Sequence, residues 1–303
     1  MTITLATHYG MCFGVRDALR KTHEIASEAP ATVLGELVHN PVVQQHLNTL
    51  GVQRGHLEAV GSSATNRVII TAHGAADRDR QAWQQAGYQV TDTTCPLVKK
   101  AHHALAQLVA GGYQPVVIGQ AGHVEVRGLC GDFPSAVVVE SEAEVAALPF
   151  HHKLGIVSQT TQPLQKVINL VEAIRRRHPA AEVVFKDTVC QPTKDRQAAL
   201  EKLCQDHRIL VVIGGRNSNN TRQLSDTARR AGLTVHQIET AADLQPAWFD
   251  HGDRVGITAG TSTLDETVQA VAARLKQIAA ENRAAGPAGK LGPIIQRAAA
   301  AIF

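Results

Sequence analysis

At 303 residues, with 44% hydrophobic and 19% charged residues, the chain is long enough to bury a substantial core and is not globally disordered. Its formal net charge of +3 is too small to imply a polyanionic partner. Aromatic residues at only 4% leave few rings for stacking on bases, which counts further against nucleic-acid binding.

The N-terminal MTITLATHYG lacks the basic start and long apolar stretch of a signal peptide. No apolar run approaches the ~20 residues a membrane helix needs, so no membrane partner is expected. These features read as a cytoplasmic protein. In that reducing compartment five cysteines are ligands, catalysts or core residues before they are disulfides.

In chain order, YGMCFGVRDAL comes first: Cys12 opens a helix-like stretch, with Arg16 four positions on. After it come short apolar runs that end abruptly in polar, Gly-rich clusters and pass into helix-like segments. They are RVIITAHGAADR (67–78), PVVIGQAGHVEV (115–126), LGIVSQTTQP (154–163), LVVIGGRNSNNTRQL (210–224) and RVGITAGTSTLDE (254–266). Amphipathic segments such as KAHHALAQLVAGG and QAALEKLCQDH lie between them. Continuous apolar strands alternating with helices predict an α/β fold, with mainly parallel sheets covered on both faces. Ligands of such folds bind beyond the carboxyl ends of the strands, where the polar clusters sit.

One phrase recurs. DTTCPLVKKAHHAL (92–105) and DTVCQPTKDRQAAL (187–200) share D-T-x-C-x-x-x-K-x-x-x-x-A-L. With the Cys12 phrase, this predicts three similar α/β units over 13–95, 96–186 and 187–283, meeting at a shared centre. The N-terminal strand, 1–12, is expected to pack at that centre. After a last helix at about 264–283, AAGPAGKLGP reads as a linker into a C-terminal tail, 284–303.

Cys12, Cys95 and Cys190 each precede a helix and carry a basic residue one turn later (Arg16, Lys99, Lys194). The helix dipole and that cation are expected to lower the thiol pKa and favour the thiolate. Singly, each reads as an ordinary core cysteine; three in one setting point to a common site. Cys130 and Cys204 lack the setting and read as structural. Zinc sites and thiol–disulfide enzymes usually bring C-x-x-C pairs, and none is present. Soft thiolates distant in sequence suit an iron–sulfur cluster, and three ligands to a four-iron cubane leave one iron open as a Lewis acid.

His39, His73 and His123 each follow an apolar stretch at an expected loop. Ser218, Asn219, Asn220, Thr160, Ser262 and Gly260 bring hydroxyls, amides and backbone N–H groups to other strand ends. Such groups make an anion site, and in the absence of a P-loop or G-x-G-x-x-G motif they fit a small phosphorylated ligand better than a nucleotide. Glu125 is the acid closest to these clusters and a candidate proton donor. His102, His103, His151, His152 and His178 read as surface positions.

The ordered set GMCFGV, LVHNP, TAHG, DTTCPLV, GHVEV, SQTTQ, DTVC…RQ, RNSNNT and TAGTST resembles the 4-hydroxy-3-methylbut-2-enyl diphosphate reductases of the LytB family. The resemblance runs from the first strand to about residue 275. It implies three α/β units in a trefoil-like, pseudo-threefold arrangement around a [4Fe–4S] cluster held by Cys12, Cys95 and Cys190. It also implies that His39, His73, His123, Ser218, Asn219, Asn220 and Ser262 bind an allylic diphosphate. Glu125, supported by Thr160, would relay protons in a reductive dehydroxylation to isopentenyl and dimethylallyl diphosphate. Ferredoxin or flavodoxin would supply the electrons.

Three positions depart from the family phrases: Val124 in place of proline, Asn219 in place of a second serine, and Leu264 in place of proline. They bear on loop geometry and substrate affinity. A divergent paralogue acting on another small diphosphate fits the same residues, as does an iron–sulfur redox or oxygen sensor, though a sensor needs neither Glu125 nor Thr160.

Overall fold

The computed structural model describes residues 1–284. The chain begins with β1 (Thr2–Leu5) and α1 (Phe13–Glu28). A first sheet follows, built from β2 (Thr32–Leu34), β3 (Gln53–Gly55), β4 (Arg67–Ile70) and β5 (Gln89–Asp92), with α2 (Pro41–Thr49) and α3 (Asp77–Gln85) in its connections. Its strand order is β3-β2-β4-β5, all parallel.

A second sheet is made of β6 (Gln114–Ile118), β7 (Val137–Val139), β8 (Lys153–Ser158) and β9 (Glu182–Phe185), in the order β7-β6-β8-β9 and again parallel. Around it run α4 (Pro96–Ala110), α5 (Val124–Gly131), α6 (Glu142–Ala147) and α7 (Leu164–Arg177). The third sheet contains β10 (Ile209–Ile213), β11 (Thr234–Ile238) and β12 (Arg254–Ala259), accompanied by α8 (Gln191–Asp206), α9 (Asn219–Arg230) and α10 (Asp265–Ala284).

The N-terminal strand belongs to a sheet otherwise built from the far end of the chain. β1 joins the third sheet as its outer strand, in the order β1-β12-β10-β11, pairing in parallel with β12. The reason is topological. In each sheet the outer strand beside the polar-ended strand (β5 beside β4, β9 beside β8, β1 beside β12) leads directly towards a cysteine and the next helix. The third sheet obtains that strand from the start of the chain. The proposed linker and tail lie, except for Ala284, outside the described residues.

The alternating faces of the strands explain why the runs are apolar throughout. In the second sheet Val116, Ile118 and Ile156 pack under α6 and α7, while Val117 and Val157 pack on the other side with Leu105 and Leu129. The third sheet divides likewise: Val211, Ile213 and Ile257 face the α10 side, and Leu210 and Val212 face Leu200, Leu203 and Leu224.

The repeated phrase also has a structural meaning. Asp92 accepts a hydrogen bond from Thr94 N at 2.9 Å, and Asp187 from Val189 N at 3.1 Å, so each closes an Asx turn before its cysteine. Lys99 and Lys194 are not aimed at the thiols; they pair with these aspartates at 2.8 and 2.6 Å. Thr93 and Thr188 donate to the last carbonyls of β4 and β8, Ile70 O at 2.5 Å and Ser158 O at 2.6 Å. The phrase is a turn that fastens an outer strand to its neighbour.

Two histidines expected at the surface are not there. His178 is only 2% exposed at the end of α7, facing Phe150, while the preceding Arg175, Arg176 and Arg177 take the solvent side. His102 is half-buried, with Nε2 inaccessible. Thr188 also receives Ser158 N at 2.8 Å, so Thr188→Val leaves two buried backbone groups unsatisfied. The variant should lose about 2 kcal/mol in urea unfolding of the cluster-free chain, and a loss below about 0.5 kcal/mol would contradict this role.

Candidate functional site

The three cysteines occupy equivalent places. Cys12 caps the N-terminus of α1, Cys95 that of α4 and Cys190 that of α8. The amide of each is tied to the polar segment beyond a strand: Cys95 N donates to Ala72 O at 3.1 Å, Cys190 N to Thr160 O at 3.0 Å and Cys12 N to Thr261 O at 3.1 Å. Ala72, Thr160 and Thr261 each stand two residues beyond the end of β4, β8 and β12. One backbone contact repeated in three sheets therefore draws three distant helix starts together.

Gly14 makes the approach close, since a side chain there would collide with Cys95 Sγ. Each of Cys95 and Cys190 is close enough to Cys12 and to Glu125 for their charges to act on it. The expected low thiol pKa is not what the site produces. Burial raises the Cys95 thiol and pushes Cys190 up to about 11, because withdrawal from water outweighs the backbone N–H groups at the helix start. The helix start alone does not make thiolates of these two. Cys130 and Cys204 sit instead against apolar clusters, beside Leu129 and Leu203.

Among the described residues no three His, Cys, Asp or Glu side chains close on a single ion position. A cubane offers each thiolate a separate iron at a separate corner, so three sulfurs on three converging helix starts suit it where a lone zinc ion does not. The donors present fit a cluster.

Beside the thiols lies a cavity of about 40 Å³ lined by His39, His73, His123, Glu125, Ser218, Asn220 and Ser262, among others. Its roof is a triad of imidazoles. His39 and His73 are stacked with centroids 4.4 Å apart, and His123 stands edge-on at 5.3 and 5.4 Å from them. Burial drives His73 well below the usual histidine range and His123 down to about 3, with the neighbouring imidazoles adding to the effect. At neutral pH both are hydrogen-bond donors and acceptors without charge. His73 Nε2 is buried with no protein partner.

His123 is also the cap of α5: its Nδ1 accepts from Glu125 N at 3.1 Å. Glu125, 2% exposed, accepts from Thr160 N at 2.6 Å and from the Thr160 hydroxyl. Burial raises its carboxyl to about 7, and the Thr160 bonds only partly offset that rise. A carboxyl with this value, buried beside the cysteines, holds and releases a proton near neutrality.

The third unit supplies the polar floor. Ser218 caps α9 by accepting from Thr221 N at 3.3 Å, Asn219 Nδ2 donates to Thr161 Oγ1 at 3.0 Å, and Asn220 Oδ1 accepts from Thr261 N at 3.0 Å. Asn40 Nδ2 donates to Ser262 O at 2.7 Å, joining the first unit to the third. A side chain at Gly260 would strike Thr221 Oγ1, so glycine is needed for this close contact.

The departures have structural readings. Val124 is the first residue of α5, a position that proline or valine fills without losing a helix bond, and it borders a second cavity of about 370 Å³. Leu264 is half-buried against the core of the first unit, an apolar contact that holds the start of α10.

Two residues went unread in the sequence. Glu36 Oε2 meets His39 Nδ1 at 2.8 Å, and Arg54 holds the other carboxylate oxygen at 3.2 Å, so His39 is the one imidazole of the triad with an anionic partner. Arg196, 6% exposed, lies against the segment that leads to Cys12. The buried face of α8, Thr193, Arg196, Leu200 and Leu203, has a charged residue at a core position, and that helical spacing was the available signal.

No helix among the described residues is long and apolar enough to cross a membrane. The family profile described as LytB protein matches residues 3–276. Similar proteins include the 4-hydroxy-3-methylbut-2-enyl diphosphate reductase of Geobacter metallireducens, 37% identical over 281 residues, covering 92% of this chain and 98% of the relative. The enzyme of the same name from Aquifex aeolicus is 36% identical over 91% of this chain and 96% of its own. Among solved structures, (E)-4-hydroxy-3-methyl-but-2-enyl diphosphate reductase, described as the terminal enzyme of the non-mevalonate pathway, covers 91% of this chain and 100% of its own at a TM-score of 0.66 and 35% identity. The E-1-hydroxy-2-methyl-but-2-enyl-4-diphosphate reductase from Plasmodium falciparum covers 95% and 89% at a TM-score of 0.84 and 26% identity. With a match along nearly its whole length, three parallel sheets and three cysteines on converging helix starts, this chain belongs to the LytB family.

Proposed function

We propose that this chain is an iron–sulfur reductase that converts (E)-4-hydroxy-3-methylbut-2-enyl diphosphate to isopentenyl and dimethylallyl diphosphate. The observation that carries the proposal is the gathering of three equivalent cysteine-capped helix starts around a buried carboxyl that itself lines a cavity with an imidazole triad. Cys12, Cys95 and Cys190 would hold a [4Fe–4S] cluster. When bound, such a cluster supplies single electrons and an open iron with Lewis acidity towards the substrate oxygen.

The chain's own residues do the rest. His39, His73 and His123, with Ser218, Asn219, Asn220 and Ser262, grip the diphosphate and fix the distance between it and the reacting carbon. Overall, the substrate takes up two electrons and two protons; its C–O bond breaks, the hydroxyl leaves as water, and an allylic carbon becomes C–H. Glu125, held by Thr160, stores the proton for the departing hydroxyl. The cavity has room for a water or two, so a C5 diphosphate enters only as the units part across contacts such as Asn219–Thr161 and Arg222–Gln120. Ferredoxin or flavodoxin would deliver the electrons. The five free thiols agree with a reducing, cytoplasmic setting. A buried acid with a pKa of about 7 favours the enzyme over a sensor, which has no proton to deliver.

Anaerobically reconstituted protein should contain about four irons per chain. Serine at Cys12, Cys95 or Cys190 should lower that number, whereas serine at Cys130 or Cys204 should leave it intact; equal loss from all five would contradict the ligand assignment. Glu125→Gln should preserve the cluster spectrum and cost roughly a hundredfold or more in kcat. Because the folded carboxyl of the free chain is raised to about 7, wild-type kcat/KM should fall as pH climbs through that value, and the Gln variant should lack this limb. Glu36→Gln, which frees His39 from its anion, should raise KM roughly tenfold with a smaller change in kcat. An unchanged KM would show that His39 needs no such partner.

A further inference from the structure

Arg196 projects from the second turn of α8 into the space between that helix and the segment preceding Cys12. Its guanidinium meets only backbone carbonyls: Nη1 donates to Pro192 O at 2.7 Å, and Nη2 donates to Tyr9 O at 3.3 Å and more closely to Gly10 O. Nε is buried and without a partner. The neighbouring Asp195 is turned to the Gln191 amide at 2.7 Å. Among the described residues no carboxylate pairs with Arg196.

A buried cation without a counter-charge is costly to keep out of water, and buried charges are ordinarily paired. The groups whose negative charge acts most on Arg196 are Cys12 and Cys190, ahead of Asp195. As thiols they carry none. As metal ligands they are thiolates, and the anion that Arg196 lacks is then present.

We propose that Arg196 is the built-in counter-cation of the cluster: it balances the thiolates of Cys12 and Cys190 and fastens the segment carrying one to the helix carrying the other. This rests on those cysteines being the cluster ligands. Arg196 is a positioning residue, acting through the two cysteines rather than on the substrate. Two consequences follow from charge alone. A fixed cation beside the cluster favours its reduced form, which carries one more electron, and so raises its reduction potential. It also opposes loss of the cluster, because release would strand the guanidinium.

The test uses full-length wild type, Arg196→Gln and Arg196→Lys, each reconstituted anaerobically with iron and sulfide. The readouts are iron per chain, reduction potential and the rate of iron loss to a chelator, with far-ultraviolet circular dichroism as the check on folding. Arg196→Gln should show a lower potential and lose iron roughly tenfold faster or more. Arg196→Lys, which keeps the charge, should keep the wild-type potential. A folded Arg196→Gln protein with unchanged potential and iron retention overturns the proposal. Should Arg196→Gln not fold, Arg196→Lys decides: a clear fall in its potential overturns the proposal, and a wild-type value supports it. A wild-type chain that takes up no iron overturns the cluster reading itself, and this inference with it.

Discussion

The site depends on a single backbone contact made three times. A cysteine amide donates to a carbonyl two residues past the end of a buried parallel strand, at 3.0 to 3.1 Å in all three cases. Parallel sheets send their carboxyl ends in one direction, and groups at those ends converge when several sheets share a centre. The bond then fixes where each helix begins, and the thiol sits at that start. Cys12, Cys95 and Cys190 are far apart in the chain and on three separate helices, and the close packing of Gly14 on Cys95 and the Arg196 bonds to Tyr9 and Gly10 add to what this bond begins.

That constraint explains the electrostatics. The polar strand ends crowd into a space closed to water, so ionisable groups there avoid charge: His73 and His123 stay neutral and Glu125 keeps its proton to about pH 7. Cys95 and Cys190 follow the same rule and remain thiols. Two charged elements are kept near this neutral chamber. One is the Glu36–His39 pair at its rim, steadied by Arg54; the other is Arg196 behind the cysteines. In the proposed function the first faces the diphosphate substrate, and in the inference drawn from Arg196 the second faces the cluster.

Much of this was legible in the residues, and the exceptions have physical causes. Strands such as LVVIG and RVGITA were readable because both faces are buried and the run is apolar throughout. The cysteines and their repeat were readable because a turn with fixed chemistry leaves Asp, Thr, Cys and Lys at fixed offsets. The partners of those residues were not. Lys99 and Lys194 looked like thiol activators, yet a carboxylate seven positions earlier competes for each and wins. The placement of β1 was hidden because pairing between the two ends of the chain leaves no local pattern. Glu36 was missed because its meaning depends on Arg54 and on the rotation of His39. Arg196 was the opposite case, since a cation among core positions of an amphipathic helix was visible in advance.

The most direct test of the central claim is an iron-edge anomalous difference map from crystals grown and frozen without oxygen. The account predicts one compact iron feature in contact with Cys12, Cys95 and Cys190 Sγ, bordering the imidazole triad and Glu125. Iron bound elsewhere, or at fewer than three of these sulfurs with the remaining cysteine turned away, would contradict it.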